Sequence, residues 1–287
     1  MRRLRSILLS CTVIMAVPHP AHATSADRFF KTSDGVRLHV IEAGPTFGRT
    51  IVFVPGWTMP AWIFQRQIAF FSRDYHVLAL DPRGQGDSEA PAQGYEPNRR
   101  GADIAELIAT QSGRPVLLVG WSLGVLDSLA YVHNFGDGLL NGLVLIDNSI
   151  GEDPPPPPHV PSGRRAPAVP REISVARFVR SMFHHSPGEA YLDRLIEASL
   201  RTPPDASAAL LAYPVPRSYW KEAVYAARKP VLYVVTPRLA GQADNLAIHD
   251  PFAETQVFAG SGHALFVDDA DRFDSTMLDF IRRRVWP

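Results

Sequence analysis

Short apolar runs recur along the chain and are separated by segments with helical spacing. The first run, at 36–41, alternates apolar and polar positions, whereas most later runs are continuously apolar. Alternation is typical of a strand with one face in solvent, and a continuous apolar run between turn residues is typical of a strand buried on both faces. The pattern therefore predicts strands at 36–41, 51–54, 75–80, 116–119, 142–146, 231–235 and 255–258.

Amphipathic segments fall between these strands. Apolar positions repeat with helical spacing at 62–71, 100–110, 125–133 and 272–284. Alternation of strand and helix is typical of a mostly parallel sheet that is covered by helices on both faces. We therefore predict an α/β fold with one core domain, formed by residues 24–150 and 229–287.

The alternation breaks between residues 151 and 228. An unbroken proline run at 154–158 begins a stretch that stays proline-rich to Pro170, and this composition excludes helix and central strand there. Helical spacing returns at 174–200 and 205–227. We interpret residues 151–228 as a proline-rich linker and a helical lid over the ends of the strands. An ordinary extra layer of helices over the same ends is the alternative.

The first 23 residues have the pattern of a signal peptide. Three arginines precede an apolar run at 7–17, and Ala21-His-Ala23 follows that run. The apolar run is too short to span a bilayer, and small residues at this spacing are typical of a cleavage site. We expect cleavage near Ala23 and export to the periplasm or the medium, with no membrane span in the mature chain. An uncleaved membrane anchor is the alternative.

Composition excludes several classes of function. Cys11 is the only cysteine and lies in the predicted signal peptide, so the mature chain has neither a disulfide nor a thiolate metal site. Basic and acidic residues balance at 29 each over the full chain, and removal of three arginines leaves a mildly acidic protein. We therefore expect no nucleic-acid partner. No feature of the sequence calls for a metal or another cofactor.

The sequence Gly120-Trp-Ser-Leu-Gly124 joins the predicted strand at 116–119 to the helical segment at 125–133. A G-x-S-x-G turn between a strand and a helix is typical of a nucleophile elbow, in which the serine is held in a strained backbone conformation. The flanking glycines remove side chains that would collide in so tight a turn. The sequence therefore predicts Ser122 as a nucleophile.

A serine hydroxyl needs a base within hydrogen-bond reach to act as a nucleophile at neutral pH. His263 lies in the loop Ala259-Gly-Ser-Gly-His263, after the last predicted strand and before the closing helix. A glycine-rich loop at a strand end can carry an imidazole over a neighbouring turn. We therefore predict His263 as the base, the alternative being a histidine in a surface loop.

Four motifs in this order resemble the α/β-hydrolase superfamily: Gly56-Trp57 after a strand, the loop at 81–88, the turn at 120–124, and Gly262-His263-Ala-Leu-Phe266. The chain is most similar to the esterase branch that contains non-haem haloperoxidase-like hydrolases and the pimeloyl-carrier-protein methyl esterase. The resemblance implies the α/β-hydrolase fold, with the helical lid inserted after the sixth strand. It also implies an oxyanion hole formed by the backbone N–H groups of Leu123 and Trp57.

The position of the acid that would orient the histidine departs from the usual pattern of the superfamily. Most relatives place it in a Gly-x-x-Asp turn after the strand that corresponds to 231–235, but this chain has Thr236-Pro-Arg-Leu-Ala-Gly-Gln-Ala-Asp244 there. A minority of the superfamily places the acid after the preceding strand, which here ends at Asp147. We favour Asp147 over Asp244. Glu152 and Asp153 are weaker candidates, since the prolines that follow direct this part of the chain away from the predicted histidine.

These features together predict an exported serine hydrolase that cleaves a carboxylic ester through an acyl-enzyme. The expected partner is a small-molecule ester or another acyl substrate, and the oligomeric state stays open. Two alternatives remain. One is a perhydrolase or haloperoxidase-like enzyme in which hydrogen peroxide takes the place of water, and the other is a hydrolase-like binding protein without catalytic activity.

Overall fold

The computed structural model describes residues 25–156 and 169–287. The predicted signal peptide and most of the proline-rich stretch lie outside the described residues. Within them, strands form one eight-stranded sheet. The strands are β1 (Ala26–Lys31), β2 (Arg37–Ala43), β3 (Thr50–Val54), β4 (His76–Asp81), β5 (Val116–Trp121), β6 (Leu140–Ile146), β7 (Val231–Val235) and β8 (Ala253–Val257).

The strand order is β1-β2-β4-β3-β5-β6-β7-β8. The pairs β1–β2 and β2–β4 are antiparallel, and the pairs from β4 through β3 to β8 are parallel. Strands β3, β5 and β7 are buried along their whole length, because helices cover the sheet on both sides. The mostly parallel α/β fold predicted from the sequence is confirmed.

Two apolar layers hold helices against the two faces of the sheet. Helices α2, α3, α6, α7 and α8 pack in one layer, and α1, α4, α5, α9 and α10 pack in the other. The helices are α1 (Gln65–Phe71), α2 (Pro97–Ala109), α3 (Leu123–Phe135), α4 (Arg171–Ser181), α5 (Glu189–Arg201), α6 (Pro204–Leu210), α7 (Arg217–Ala226), α8 (Ala240–His249), α9 (Leu265–Asp268) and α10 (Ala270–Phe280). None of the helices in the described ranges is both long and apolar enough to cross a bilayer.

Helices α8 and α9 were not predicted, and three further elements differ from the sequence-based expectation. Strand β1 was not predicted, because it is an edge strand that is exposed along most of its length and so carries no alternation. The helix expected at 174–200 is two helices, since Pro187 and Gly188 interrupt it, and Gly188 has a φ of +99°. The helix expected at 205–227 is also two helices, separated by Pro214 and Pro216.

The helices α4 to α7 form an insertion between β6, the sixth strand, and β7. The insertion contacts the loop after β3, where Trp57 Nε1 donates to the Ser207 carbonyl oxygen at 2.8 Å. Thr58 Oγ1 and Ser199 Oγ lie 2.7 Å apart in the same region. The insertion therefore lies over the carboxyl ends of the central strands, where ligand sites of open α/β sheets are found. The division into a core domain and a proline-rich linker with a helical lid stays a prediction.

Candidate active site

Ser122 lies at the sharp turn between β5 and α3, with φ +55° and ψ −119°. A Cβ at Gly120 would lie 2.3 Å from the Gly124 carbonyl oxygen, and a Cβ at Gly124 would lie 2.2 Å from the Val54 carbonyl oxygen. Both positions therefore exclude any larger residue. This geometry is that of a nucleophile elbow, which raises the serine hydroxyl above the end of the sheet.

His263 lies in the loop between β8 and α9, and its imidazole reaches the elbow. The distance between His263 Nε2 and Ser122 Oγ is 2.7 Å. Trp121 Nε1 donates to the His263 carbonyl oxygen at 2.8 Å, so the residue next to the serine also holds the backbone of the histidine. The side chain of His263 is 27% exposed, which leaves the imidazole accessible to a substrate.

Asp147 directly follows β6, and its carboxylate faces the other ring nitrogen of the histidine. Its Oδ2 lies 2.7 Å from His263 Nδ1, and its Oδ1 accepts hydrogen bonds from the Thr236 backbone N–H at 2.7 Å and the Thr236 hydroxyl at 2.8 Å. Burial by itself raises the pKa of Asp147, but the hydrogen bonds from His263 and Thr236 outweigh it and hold the pKa below its usual value. Asp147 is therefore the carboxylate that can fix the imidazole tautomer.

The other acids considered from the sequence lie elsewhere. Asp244 is exposed on α8, and Asp153 is exposed as well. Glu152 is buried and binds Lys221 Nζ and Asn245 Nδ2, each at 2.8 Å, so it joins the loop after β6 to α7 and α8. The structure thus brings Ser122, His263 and Asp147 together and leaves the alternative acids apart from the imidazole.

The two backbone donors expected to form an oxyanion hole lie on segments that meet at Ser122. Leu123 is the first residue of α3, and Trp57 follows Gly56, where an added Cβ would lie 2.9 Å from Ser122 Cβ. In residues 25–156 and 169–287, neither the Leu123 nor the Trp57 N–H has a hydrogen-bond acceptor. Free donors beside a serine hydroxyl are what a developing negative charge on a carbonyl oxygen requires.

Comparison with known proteins identifies the family. A family model described as "Alpha/beta hydrolase family" matches residues 51–276, which include every residue of the site described above. The chain belongs to the α/β-hydrolase family. The resemblance inferred from the four sequence motifs is thereby confirmed.

Individual relatives of this α/β hydrolase carry several names. A non-heme chloroperoxidase from Streptomyces lividans is 34% identical over 116 residues, which are 40% of this chain and 42% of the relative. The match therefore spans less than half the length of that relative. The AB hydrolase superfamily protein YisY from Bacillus subtilis is 24% identical over 88% of this chain and 98% of its own. The solved structure of a proposed aryl esterase from Burkholderia cenocepacia superposes with a TM-score of 0.78 at 26% identity, covering 90% of this chain and 98% of the other.

In this α/β hydrolase, Asp268 connects the loop that carries His263 to the insertion. Asp268 was not predicted as a functional residue from the sequence. Its carboxylate accepts hydrogen bonds from the backbone N–H groups of Gly262 at 2.7 Å, His184 at 2.8 Å and His185 at 3.1 Å. Next to this clamp, the Ala264 N–H donates to the Met182 carbonyl oxygen at 2.9 Å. One side chain at the end of α9 therefore fixes both the loop that carries His263 and the loop that follows α4.

We expect Asp268→Asn to lower kcat for an ester about 10-fold, with a smaller change in KM, because a loosened loop misplaces the imidazole by fractions of an ångström. Asparagine keeps the size of the side chain but replaces one acceptor oxygen by an amide nitrogen that cannot accept. Steady-state kinetics measures the effect. Asp269→Asn is the matched control, since Asp269 is a neighbouring acid whose carboxylate, among the described residues, forms one ion pair, with Arg272 at 3.8 Å. Equal kcat in the two variants would contradict the role given to Asp268.

One group of metal-ligand side chains lies close together in the described part of the chain: His39, Asp81 and Asp87. The Asp81 carboxylate already accepts hydrogen bonds from His39 Nδ1 at 2.7 Å and from the Asp87 N–H at 2.9 Å. These bonds brace the loop at 81–88, and Gln85 of that loop accepts a hydrogen bond from the Thr58 N–H. We therefore interpret the group as a support for the loop that carries Trp57.

Proposed function

We propose that this hydrolase cleaves carboxylic esters through a covalent acyl-enzyme formed on Ser122. The observation that carries the proposal is the continuous chain of hydrogen-bond contacts from Ser122 Oγ to His263 Nε2 and from His263 Nδ1 to Asp147 Oδ2, each 2.7 Å long. Nucleophile, base and orienting acid in this order are the arrangement that activates a serine for acyl transfer.

In the first half of the reaction, Ser122 Oγ attacks the ester carbonyl carbon while His263 Nε2 takes the hydroxyl proton. The carbonyl oxygen becomes an oxyanion, which the N–H groups of Leu123 and Trp57 stabilise. Loss of one such donor costs about 3 kcal/mol in activation free energy. The ester C–O bond then breaks, and the imidazolium gives its proton to the leaving alcohol.

In the second half, a water molecule attacks the acyl-enzyme and His263 Nε2 takes a proton from it. The bond between the acyl carbon and Ser122 Oγ breaks, the serine recovers its proton from the imidazolium, and the carboxylic acid leaves. Asp147 stays ionised throughout, because its role is to hold the Nδ1 proton of the imidazole and to balance the imidazolium charge. The low pKa of Asp147 is consistent with this role.

A second candidate is acyl transfer to hydrogen peroxide, and the observation in its favour is the name of the chloroperoxidase relative. Peroxide would take the place of water at the same acyl-enzyme and yield a peracid. The same serine, histidine and aspartate would serve both reactions. The two reactions therefore differ in the molecule that accepts the acyl group, which is water in one and hydrogen peroxide in the other.

A panel of p-nitrophenyl esters with acyl chains of two to twelve carbons tests the proposal on the wild-type protein. We expect release of p-nitrophenol above the background rate without peroxide, and no peracid from acetate and hydrogen peroxide at a comparable rate. Peracid formation without ester turnover would favour the second candidate. An absence of both activities in folded protein would refute ester hydrolysis by this site.

We also propose that the protein is exported and that the signal peptide is removed near Ala23. The support is the arginine-rich start, the short apolar run and the small residues at the expected cleavage site. Mass spectrometry of the full-length gene product expressed in a Gram-negative host tests this. A mature N-terminus near Thr24 is the expected result, and retention of Met1 in the membrane fraction would favour an anchor.

A further inference from the structure

A cavity of about 460 Å³ opens beside the imidazole of His263. The end of α4 supplies one wall through Phe178, Ser181 and Met182, and the loop at 261–263 supplies another. The third wall is the turn that follows β7. Within that turn, Arg238 is exposed and is the only cation among the lining residues of this cavity.

Arg238 has no carboxylate partner in this chain. Residues 1–24 and 157–168 contain neither aspartate nor glutamate, so every acidic side chain lies in the described part. None of these carboxylates lies within 4.0 Å of the Arg238 guanidinium. The only acid that lines the cavity is Asp147, and both of its oxygens are engaged by His263 and Thr236.

The position of the cavity indicates which part of an ester it would hold. His263 Nε2 lies 2.7 Å from Ser122 Oγ and delivers its proton to the leaving oxygen, so the leaving alcohol lies on the imidazole side of the serine. The cavity is bordered by that imidazole. Phe178 and Met182 offer apolar contact to the body of the leaving group, and the arginine fork is suited to bind a carboxylate through two parallel hydrogen bonds.

We propose that Arg238 selects esters whose leaving alcohol carries a carboxylate, such as the acyl esters of hydroxy acids or phenolic acids. The inference rests on the ester-hydrolase function proposed above. Because Arg238 is exposed, salt screens its attraction, and we expect a preference of moderate size rather than an absolute requirement.

The test compares 4-acetoxybenzoate with its neutral methyl ester, methyl 4-acetoxybenzoate. In wild-type protein at low ionic strength, we expect a KM for the anionic ester about 10-fold lower than in Arg238→Gln, with the KM of the neutral ester changed less than about twofold. Arg238→Lys should retain part of the preference, and 0.5 M sodium chloride should weaken it in the wild type. Arg228→Gln is the matched control, because Arg228 is an exposed arginine that precedes β7 and lies at the opposite end of that strand.

The outcomes separate this inference from the proposed function. Turnover of both esters with no change specific to Arg238→Gln overturns the role of Arg238 and leaves ester hydrolysis intact. If neither ester is hydrolysed, calorimetric binding of the product 4-hydroxybenzoate decides the question. Binding that is lost in Arg238→Gln and kept in Arg228→Gln supports the anion site, and absent or unchanged binding overturns it.

A second pair of esters tests the placement of the leaving group. Mono-p-nitrophenyl glutarate carries its carboxylate on the acyl side, and p-nitrophenyl valerate is a neutral ester with an acyl chain of the same carbon count. We expect Arg238→Gln to change the kcat/KM ratio of this pair by less than about twofold. A change confined to the acyl-side anion would show that the cavity holds the acyl group, and would overturn the assignment to the leaving alcohol.

Discussion

Ser122→Ala is expected to reduce kcat for p-nitrophenyl esters by about 10⁴-fold or more, close to the background rate. Alanine removes the only hydroxyl within 2.7 Å of His263 Nε2 among the described residues, so no covalent intermediate can form. The strained backbone at φ +55° accepts alanine no worse than serine, and the fold should survive. Steady-state kinetics, together with circular dichroism as a check on folding, measures the effect.

Labelling with a fluorophosphonate probe gives an independent readout of the same prediction. Wild-type protein should carry one adduct on the peptide that contains Ser122, and Ser122→Ala should carry none. Ser128→Ala is the matched control, since Ser128 is a buried serine on α3, the helix that follows Ser122, and its hydroxyl donates to the Gly124 carbonyl oxygen at 2.7 Å. A folded wild-type protein that takes no label would indicate a binding protein without catalytic activity.

Buried parallel strands were the part of the fold that could be predicted best from the sequence. Strands β5 and β7 are buried over their whole length, so almost every position in them is apolar and the run stands out from its surroundings. Strand β1 is paired only with β2 and is mostly exposed, so its composition resembles that of a loop. Helix α8 was missed because it begins in the stretch where an acidic turn is usual in the superfamily.

Ser122 and His263 could be predicted because their function leaves a local pattern. The elbow needs glycine at 120 and 124 for steric reasons, and the histidine loop is rich in glycine. Thr236 and Asp268 leave no such pattern, since most of the groups that they bind lie far away in sequence. Thr236 binds a carboxylate 89 positions away, and Asp268 binds backbone groups 84 and 83 positions away. Only the folded chain brings these groups together.

Asp147→Asn is expected to lower kcat about 10³- to 10⁴-fold, with little change in stability. Asparagine keeps the shape of the side chain and can still accept a hydrogen bond from Thr236 through its amide oxygen. Its amide nitrogen would then face His263 Nδ1 and donate to it, which favours the tautomer with the proton on Nε2. In that tautomer Nε2 cannot accept the proton of Ser122, so the base is lost although the geometry is kept.

Asp244→Asn is the control for this prediction, because Asp244 is exposed on α8 and lies in the stretch where most relatives place the acid. Its kcat should stay within about twofold of the wild type, as expected for an exposed residue outside the site. A normal kcat in Asp147→Asn combined with a collapse in Asp244→Asn would show that the imidazole takes a different acid during turnover. That outcome would require α8 to move toward His263 in the substrate complex, and the histidine would then exchange the carboxylate of Asp147 for that of Asp244.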